Sequence, residues 1–354
     1  MTKTPEPEQP PLPAASPPSE PGEAPFSGLT PDLILNAIDT IGLATSGQLL
    51  ALNSYENRVF QVGLDAPDGG RVAPVVVKFY RPGRWSDEAI LEEHAFAGEL
   101  AQAEVPAVPP SALDGATLHR YGGFRFAVFE RRGGRAPELS DRAVLERIGR
   151  FLGRLHAVGA RTVYAHRPAL DVESFGVEPS AYLLQAGWIP PDLAGVYGGV
   201  VRDAIQEARR CFERAGRVAR LRLHGDCHEG NLLWTESGAQ PGPHFVDFDD
   251  SRTGPAVQDL WMLLSGSRHD MQRQLSDLLA GYEDFAEFNP HELELIEALR
   301  TLRLIHYSAW IARRWHDPAF PAAFPWFDSP RYWEARILEL REQIALMQEP
   351  ALAV

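Results

Sequence analysis

The sequence predicts an α+β chain of two lobes: an antiparallel β-sheet lobe with one main helix, then a mostly helical lobe. Three observations predict it. Up to residue 130, short β-rich runs surround one long helical stretch. Beyond residue 140, apolar residues recur mainly at helical spacing. Between the helical stretches lie LHGDCHEGNLLW, from Leu223, and FVDFDDSRTGPAVQD, ending at Asp259. In both, acids and an amide stand where short apolar runs stop.

Residues 1–26 are read as a disordered tail. Nine prolines and several acids fill residues 1–25, with almost no bulky apolar side chains. Such a segment cannot bury enough surface to offset its ordering entropy. Residues 27–131 are read as the sheet lobe. Thr30-Pro31 gives a hydroxyl cap and a proline at the first helical position. Leu33, Ile34, Ala37, Ile38 and Ile41 then share one face. Strands are expected over 48–52, 58–63 and 72–80, with Pro67-Asp68-Gly69-Gly70 as a turn. A helix over 86–103 and strands over 117–121 and 124–130 complete this lobe. Gly133 and Gly134 suit a boundary that must flex.

Residues 132–348 are read as the helical lobe. Ser140 is expected to cap a helix over 141–158, buried through Val144, Leu145, Ile148, Phe151, Leu152 and Leu155. Further helices are expected over 192–215, 256–264, 271–287, 291–314 and 330–347. His156 reads as a packing histidine, and no chemistry is evident over 159–220. Trp310, Trp315, Trp326 and Trp333 read mostly as core, with an exposed subset available as a surface.

Composition narrows the function classes. The chain has 354 residues, 44% of them hydrophobic, enough for two lobes with a core each. Its net charge of −14 argues against nucleic acid and anionic membrane as partners. Two cysteines, Cys211 and Cys227, are too few for a disulfide scaffold and suit a reducing cytoplasm. Neither an 18-residue apolar run nor a signal peptide is evident. A cytoplasmic monomer is expected.

The stretch 223–259 carries the chemistry. Leu221–Leu223 and Phe245–Val246 read as strands, so Asp226, Asn231 and Asp247 stand at strand ends. Four residues separate Asp226 from Asn231, the spacing of the kinase catalytic loop. Asp247-Phe248-Asp249 takes the place of a D-F-G segment. A phosphoryl donor brings dense negative charge, and Mg²⁺ takes hard oxygen ligands to bridge it. Asp247 and Asn231 supply a carboxylate and an amide oxygen. Asp226 would accept the proton of an attacking hydroxyl. One loop acid alone usually forms a turn; the joint pattern is specific. A zinc site of His224, Asp226, Cys227 and His228 is disfavoured, because adjacent residues seldom converge on one tetrahedral ion. Cys227 reads as a small packing residue. Lys78 sits in an apolar strand, Val75-Val76-Val77-Lys78, which seldom carries lysine without a partner. Its acid should lie on the next helix. Glu92 and Glu93 are adjacent there, point about 100° apart, and only one can face the cleft. Glu93 is chosen, and Glu92 is left as a solvated charge.

LHGDCHEGNLLW followed by FVDFDDSRTGPAVQDLWMLL resembles the aminoglycoside-phosphotransferase-like branch of the protein-kinase fold. More closely, the chain resembles the stress response kinase A family of bacterial Ser/Thr protein kinases. NSYENRVFQV, VVKFYRPGRW, ILEEHAFAGEL and RRWHDPAFPAAFPW carry the closer likeness, which covers nearly everything after residue 27. The resemblance implies a two-lobed kinase-like fold that transfers phosphate from ATP and Mg²⁺ to a hydroxyl. It implies Ser54, in a loop replacing the usual Gly-rich one, and Lys78 as ATP contacts. Backbone near Phe129 and Arg131 would meet the adenine edge. Asp259 would brace the catalytic loop through His224 and nearby N–H groups; a plain helix-dipole role is the competing view.

Two departures bear on the acceptor. Gly225 stands where common protein kinases place Arg, so a phosphate switch there is not expected. Only eleven residues separate Asp247 from Asp259, little room for a peptide-docking segment. That favours a small hydroxyl substrate, whereas the closer resemblance implies a protein Ser/Thr acceptor, and the resemblance is followed. The rivals are a small-molecule kinase of the aminoglycoside, choline or amino-alcohol type, and a catalytically silent ATP-binding protein. An acidic acceptor pocket would support the first. Loss of any of Lys78, Asp226, Asn231 or Asp247 would have supported the second.

Overall fold

The computed structural model describes residues 24–66, 72–236 and 241–354. The expected tail up to residue 23 and the turn at 67–70 lie outside the described residues. The first lobe comprises α1 (Pro31–Asp39), β1 (Thr45–Ala51), β2 (Arg58–Leu64), β3 (Val75–Phe79), α2 (Asp87–Gln102), β4 (His119–Tyr121) and β5 (Phe124–Glu130). Its five strands form one antiparallel sheet in the order β1-β2-β3-β5-β4. Side chains alternate across a strand. Val77 and Phe79 therefore join Ile34 and Ile38 of α1 in one core. Tyr80 joins Ile90 of α2 in another, on the opposite face. Lys78 shares the Tyr80 face, so the pleat alone turns it toward α2.

The second lobe holds α3 (Arg142–Gly159), α4 (Glu178–Gln185), α5 (Pro191–Ala215), β6 (Leu221–Arg222), β7 (Leu232–Thr235), β8 (Gly242–Phe245) and β9 (Thr253–Gly254). It continues with α6 (Val257–Trp261), α7 (Arg268–Tyr282), α8 (Ile296–Arg313), α9 (Ala319–Ala323) and α10 (Pro330–Met347). Two small antiparallel ribbons, β6-β9 and β7-β8, bracket the stretch 223–253. A large apolar core surrounds them.

Helix ends follow local capping. The Thr30 and Ser86 hydroxyls accept the N–H groups of Leu33 and Ala89. The cap of α3 is Asp141 rather than Ser140, because its carboxylate accepts the Ala143 N–H at 2.8 Å. Ser140 bonds Glu138 instead. α7 starts before residue 271, since Ser267 and Asp270 form a reciprocal capping box. Residues 290–295 wind as a tighter 3₁₀ turn before α8. α6 is shorter than the expected 256–264. Trp333 is buried and Trp326 is exposed.

Two contacts set the frame of the second lobe. α3 and α7 cross so closely that a Cβ on Gly281 would lie 1.9 Å from the Glu146 carbonyl oxygen. Helix packing at that separation admits no side chain. Near the crossing, Asp259 of α6 is wholly buried. Its two carboxylate oxygens accept the His224 and Gly225 N–H groups, each at 2.8 Å. His156 of α3 lies 3.1 Å away through Nε2, and its Nδ1 meets the Tyr282 hydroxyl at 2.9 Å. A carboxylate only accepts here, so His156 donates from Nε2. The packing histidine of the sequence reading is part of this brace.

Two outcomes are expected. Gly281→Ala must part α3 from α7 and should cost about 1–3 kcal/mol, read as a lowered denaturation midpoint. Asp259→Ala strands buried N–H groups and should cost about 3–5 kcal/mol by the same readout.

Candidate active site

A cleft lies between the lobes, and two cavities fill it. The first, about 340 Å³, is lined by Leu52, Val59, Val76, Phe129 and Leu233 at its apolar walls. Lys78, Glu93, Asn231 and Asp247 supply its polar part. The second, about 490 Å³, contains Asp226, His228, Arg303 and Tyr307. Both include Asn53, Ser54, Gly230, Asn231 and Asp247. The cavities therefore meet at the loop after β1 and at the two proposed metal ligands.

Lys78 Nζ stands 2.9 Å from Asp247 Oδ1 and 3.9 Å from Glu93 Oε1. Burial opposes the lysine charge, but Asp247 and Glu93 outweigh it and hold Lys78 protonated. Glu93 is buried on the cleft face of α2, as expected of the pair Glu92 and Glu93. Burial pushes its carboxyl above the usual range, against Lys78 and Arg167. Glu92 is more than a solvated charge: it accepts the Ala165 and His166 N–H groups at 2.8 and 2.9 Å.

Asp226 follows β6 in the loop held by Asp259. The Asn231 amide nitrogen donates to the Asp226 carbonyl oxygen at 2.9 Å and lies 3.4 Å from Asp226 Oδ2. That bond orients the amide and leaves its oxygen for a cation. Burial would raise the Asp226 carboxyl, yet the His228 hydrogen bond and the Arg303 charge bring it below its ordinary value. Asp247 adopts left-handed backbone, φ 62°, which is costly for a non-glycine residue. It leaves 52% of its side chain exposed to the cleft. Gly225 has φ 86°, and a Cβ there would meet the Asp250 carbonyl oxygen at 2.2 Å. The residue that replaces the kinase arginine is thus required by the loop itself.

The remaining expected residues divide. Ser54 lines both cavities, with its hydroxyl bonded to the Asn57 carbonyl oxygen at 3.2 Å. Phe129 walls the first cavity. The Arg131 guanidinium bonds Gln61 at 2.6 Å, and the first cavity is lined by its neighbours Glu130 and Arg132 rather than by Arg131. Asp259 holds the His224 main chain, while the His224 ring bonds the Val246 carbonyl oxygen at 2.9 Å. Cys227 is buried in the core, and burial raises its thiol.

Sequence reasoning missed several arginines. Arg167, in the span where no chemistry was evident, binds the carbonyl oxygens of Ala89, Asp249 and Ser251 and lies 3.5 Å from Glu93. A buried arginine tying α2 to the D-F-D segment carries no local sequence signal. Glu56, at the tip of the phosphate-side loop, receives Arg81 at 2.9 Å and Arg314 at 2.6 Å. Trp310 Nε1 donates to it at 2.6 Å. Asp317 receives Arg58 at 3.0 Å and Arg81 at 2.6 Å. The loop after β1 is thereby tied to α8 and the turn beyond it. The signal was present in NSYENR, KFYRPGRW and RRWHDPAF, which are distant in sequence and converge here.

Comparison with known proteins agrees with this geometry. Residues 48–296 match the family described as "Phosphotransferase enzyme family". Stress response kinase A of Escherichia coli (strain K12) is 43% identical over 327 residues, covering 92% of this chain and 96% of that protein. Serine/threonine protein kinase RdoA of Salmonella typhimurium is 41% identical over the same shares of both chains. Among solved structures, an amicoumacin kinase in complex with AMP-PNP, Ca²⁺ and Ami has a TM-score of 0.67 at 18% identity. It covers 90% of this chain, which covers 93% of it. A microcompartment-associated aminopropanol kinase has a TM-score of 0.64 at 19% identity, covering 90% and 97%. These structures are similar in fold. The chain is an ATP-dependent phosphotransferase that belongs to the phosphotransferase enzyme family and, within it, to the stress response kinase A proteins.

Proposed function

We propose that the chain transfers the γ-phosphate of Mg·ATP to a serine or threonine hydroxyl of a protein. One observation carries the reading. The two cavities meet at Asn231 and Asp247, with Lys78 on one side of the junction and Asp226 on the other. A nucleotide in the first cavity has its terminal phosphate at that junction. An acceptor hydroxyl in the second lies beside Asp226.

Residues 27–131 serve as the nucleotide lobe and 132–348 as the catalytic and acceptor lobe. Adenine rests between Val59, Val76 and Leu233, with the backbone near Phe129 and Arg131 at its edge. Lys78 and the loop of Ser54 meet the phosphates; Glu93 holds Lys78. Asn231 and Asp247 fit Mg²⁺, since both offer hard oxygens and Mg²⁺ takes its other ligands from phosphate and water. Bound there, the metal neutralises charge on the phosphates. Asp226 accepts the hydroxyl proton as the new phosphorus–oxygen bond forms and ADP leaves. Asp259 keeps His224, Gly225 and hence Asp226 in register. The protein works as a cytoplasmic monomer. Among the described residues no helix is long and apolar enough to cross a membrane.

The name of RdoA supports a protein acceptor. The acids of the second cavity count against an amine acceptor, because arginines already occupy most of them. The short span from Asp247 to Asp259 favours the second reading, a small-molecule hydroxyl acceptor. A silent ATP-binding role sits poorly with Lys78, Asp226, Asn231 and Asp247 gathered at one junction.

Asp247→Ala should abolish Mg·ATP turnover. Asp226→Asn should keep nucleotide affinity and lose roughly 10²-fold or more in rate. Labelled ATP, a generic protein acceptor and a panel of small hydroxyl compounds measure both. Normal turnover by Asp226→Asn would remove Asp226 as the base.

A further inference from the structure

The second cavity carries a charge pattern that phosphate transfer alone does not require. Five carboxylates line it: Glu56, Asp226, Asp247, Asp249 and Asp250. Glu56 is held by Arg81 and Arg314. Asp249 pairs with Arg84. Asp250 has Arg84 at 2.7 Å and Arg252 at 3.3 Å. Asp247 has Lys78, and faces the proposed metal. No carboxylate is left over for a cationic acceptor.

The cations of the same wall are unequal. The side chains of Arg84 and Arg252 are only 8% and 9% exposed, locked onto their acids. His306 is stacked on Phe175 at 4.1 Å and uncharged near neutrality, its pKa brought down to about 3 by burial and Arg252. The His228 ring accepts the Gly230 N–H at Nδ1, and its Nε2 lies 3.5 Å from Asp226 Oδ2. Arg303 of α8 differs. Its side chain is 37% exposed, and Nη2 lies 2.7 Å from Asp226 Oδ1. That oxygen has no aligned hydrogen bond, so the contact is charge against charge.

We propose that Arg303 is the acceptor-selecting residue, taking a carboxylate or similar anionic group that flanks the acceptor hydroxyl and releasing Asp226 to face that hydroxyl. The inference rests on the second cavity being the acceptor site. The exchange moves Arg303 from one carboxylate to another, while Asp226 Oδ2 keeps the Asn231 amide at 3.4 Å and His228 Nε2 at 3.5 Å. A lysine-flanked acceptor leaves Arg303 on Asp226 and brings a like charge beside it. Tyr55, Tyr307 and Phe324 line the same cavity and offer apolar faces to the rest of the segment. The net charge of −14 acts against an acidic partner at a distance, but charges beyond about 8 Å are screened at physiological salt. The transfer step is unchanged: the bond from ADP to the γ-phosphorus breaks, the hydroxyl oxygen bonds phosphorus, and the proton goes to Asp226.

The test uses the full chain saturated with Mg·AMP-PNP. Binding is measured for serine peptides alike except for flanking Asp, Ala or Lys, and for small hydroxy acids against amino alcohols. With ATP, kcat and KM are measured on the same panel. The acidic peptides should bind at least about tenfold more tightly than the Lys peptides, with the difference in KM. Arg303→Met should erase that order, and Arg303→Lys should keep its direction. An absent or reversed order in the wild type, an order that survives Arg303→Met, or failure of every acceptor to bind would overturn the proposal. If only small molecules are phosphorylated, the protein-acceptor reading fails. The order of hydroxy acids over amino alcohols then still decides the part of Arg303.

Discussion

A single buried carboxylate fixes the geometry on which the rest depends. Asp259 reaches the backbone of His224 and Gly225 and receives a proton bond from His156. An isolated buried charge is costly; three donors make it tolerable and directional. The loop that bears Asp226 inherits its position from that carboxylate. Gly225 completes the arrangement, because its left-handed backbone runs against the Asp250 carbonyl with no space for a side chain.

A second set of charges joins the lobes. Glu56 meets three arginines and Asp317 two, and those arginines come from β2, the turn after β3 and the end of α8. The loop after β1 lacks the glycines that usually let a backbone wrap phosphates. Here side-chain ion pairs hold it over the junction of the two cavities instead. Partly buried pairs with several partners contribute more than isolated surface pairs, since their side chains are already ordered.

Much of this was legible in the sequence for a physical reason. Asp226, Asn231 and Asp247 lie in short segments whose strand-to-loop pattern is local, and Lys78 was marked by its place in an apolar strand and by the resemblance. Glu93 needed one helical step to separate it from Glu92. Thr30 and Ser86 announced their helices; Asp141 displaced Ser140 because a carboxylate one residue later fits the same orphan N–H. Arg167 and Arg303 were not legible. Each acts on a partner far away in sequence, and nothing nearby separates such an arginine from the many on the surface. The edge expected from the backbone near Phe129 and Arg131 borders the first cavity through Phe129, Glu130 and Arg132, while Arg131 itself does not line it.

The most direct test of the central claim is a structure of the full chain with Mg·AMP-PNP and a serine peptide. The account predicts metal on the Asn231 and Asp247 oxygens and a serine hydroxyl within about 3.2 Å of an Asp226 carboxylate oxygen. A hydroxyl seated against a different acid, or a metal bound away from Asn231 and Asp247, would contradict it.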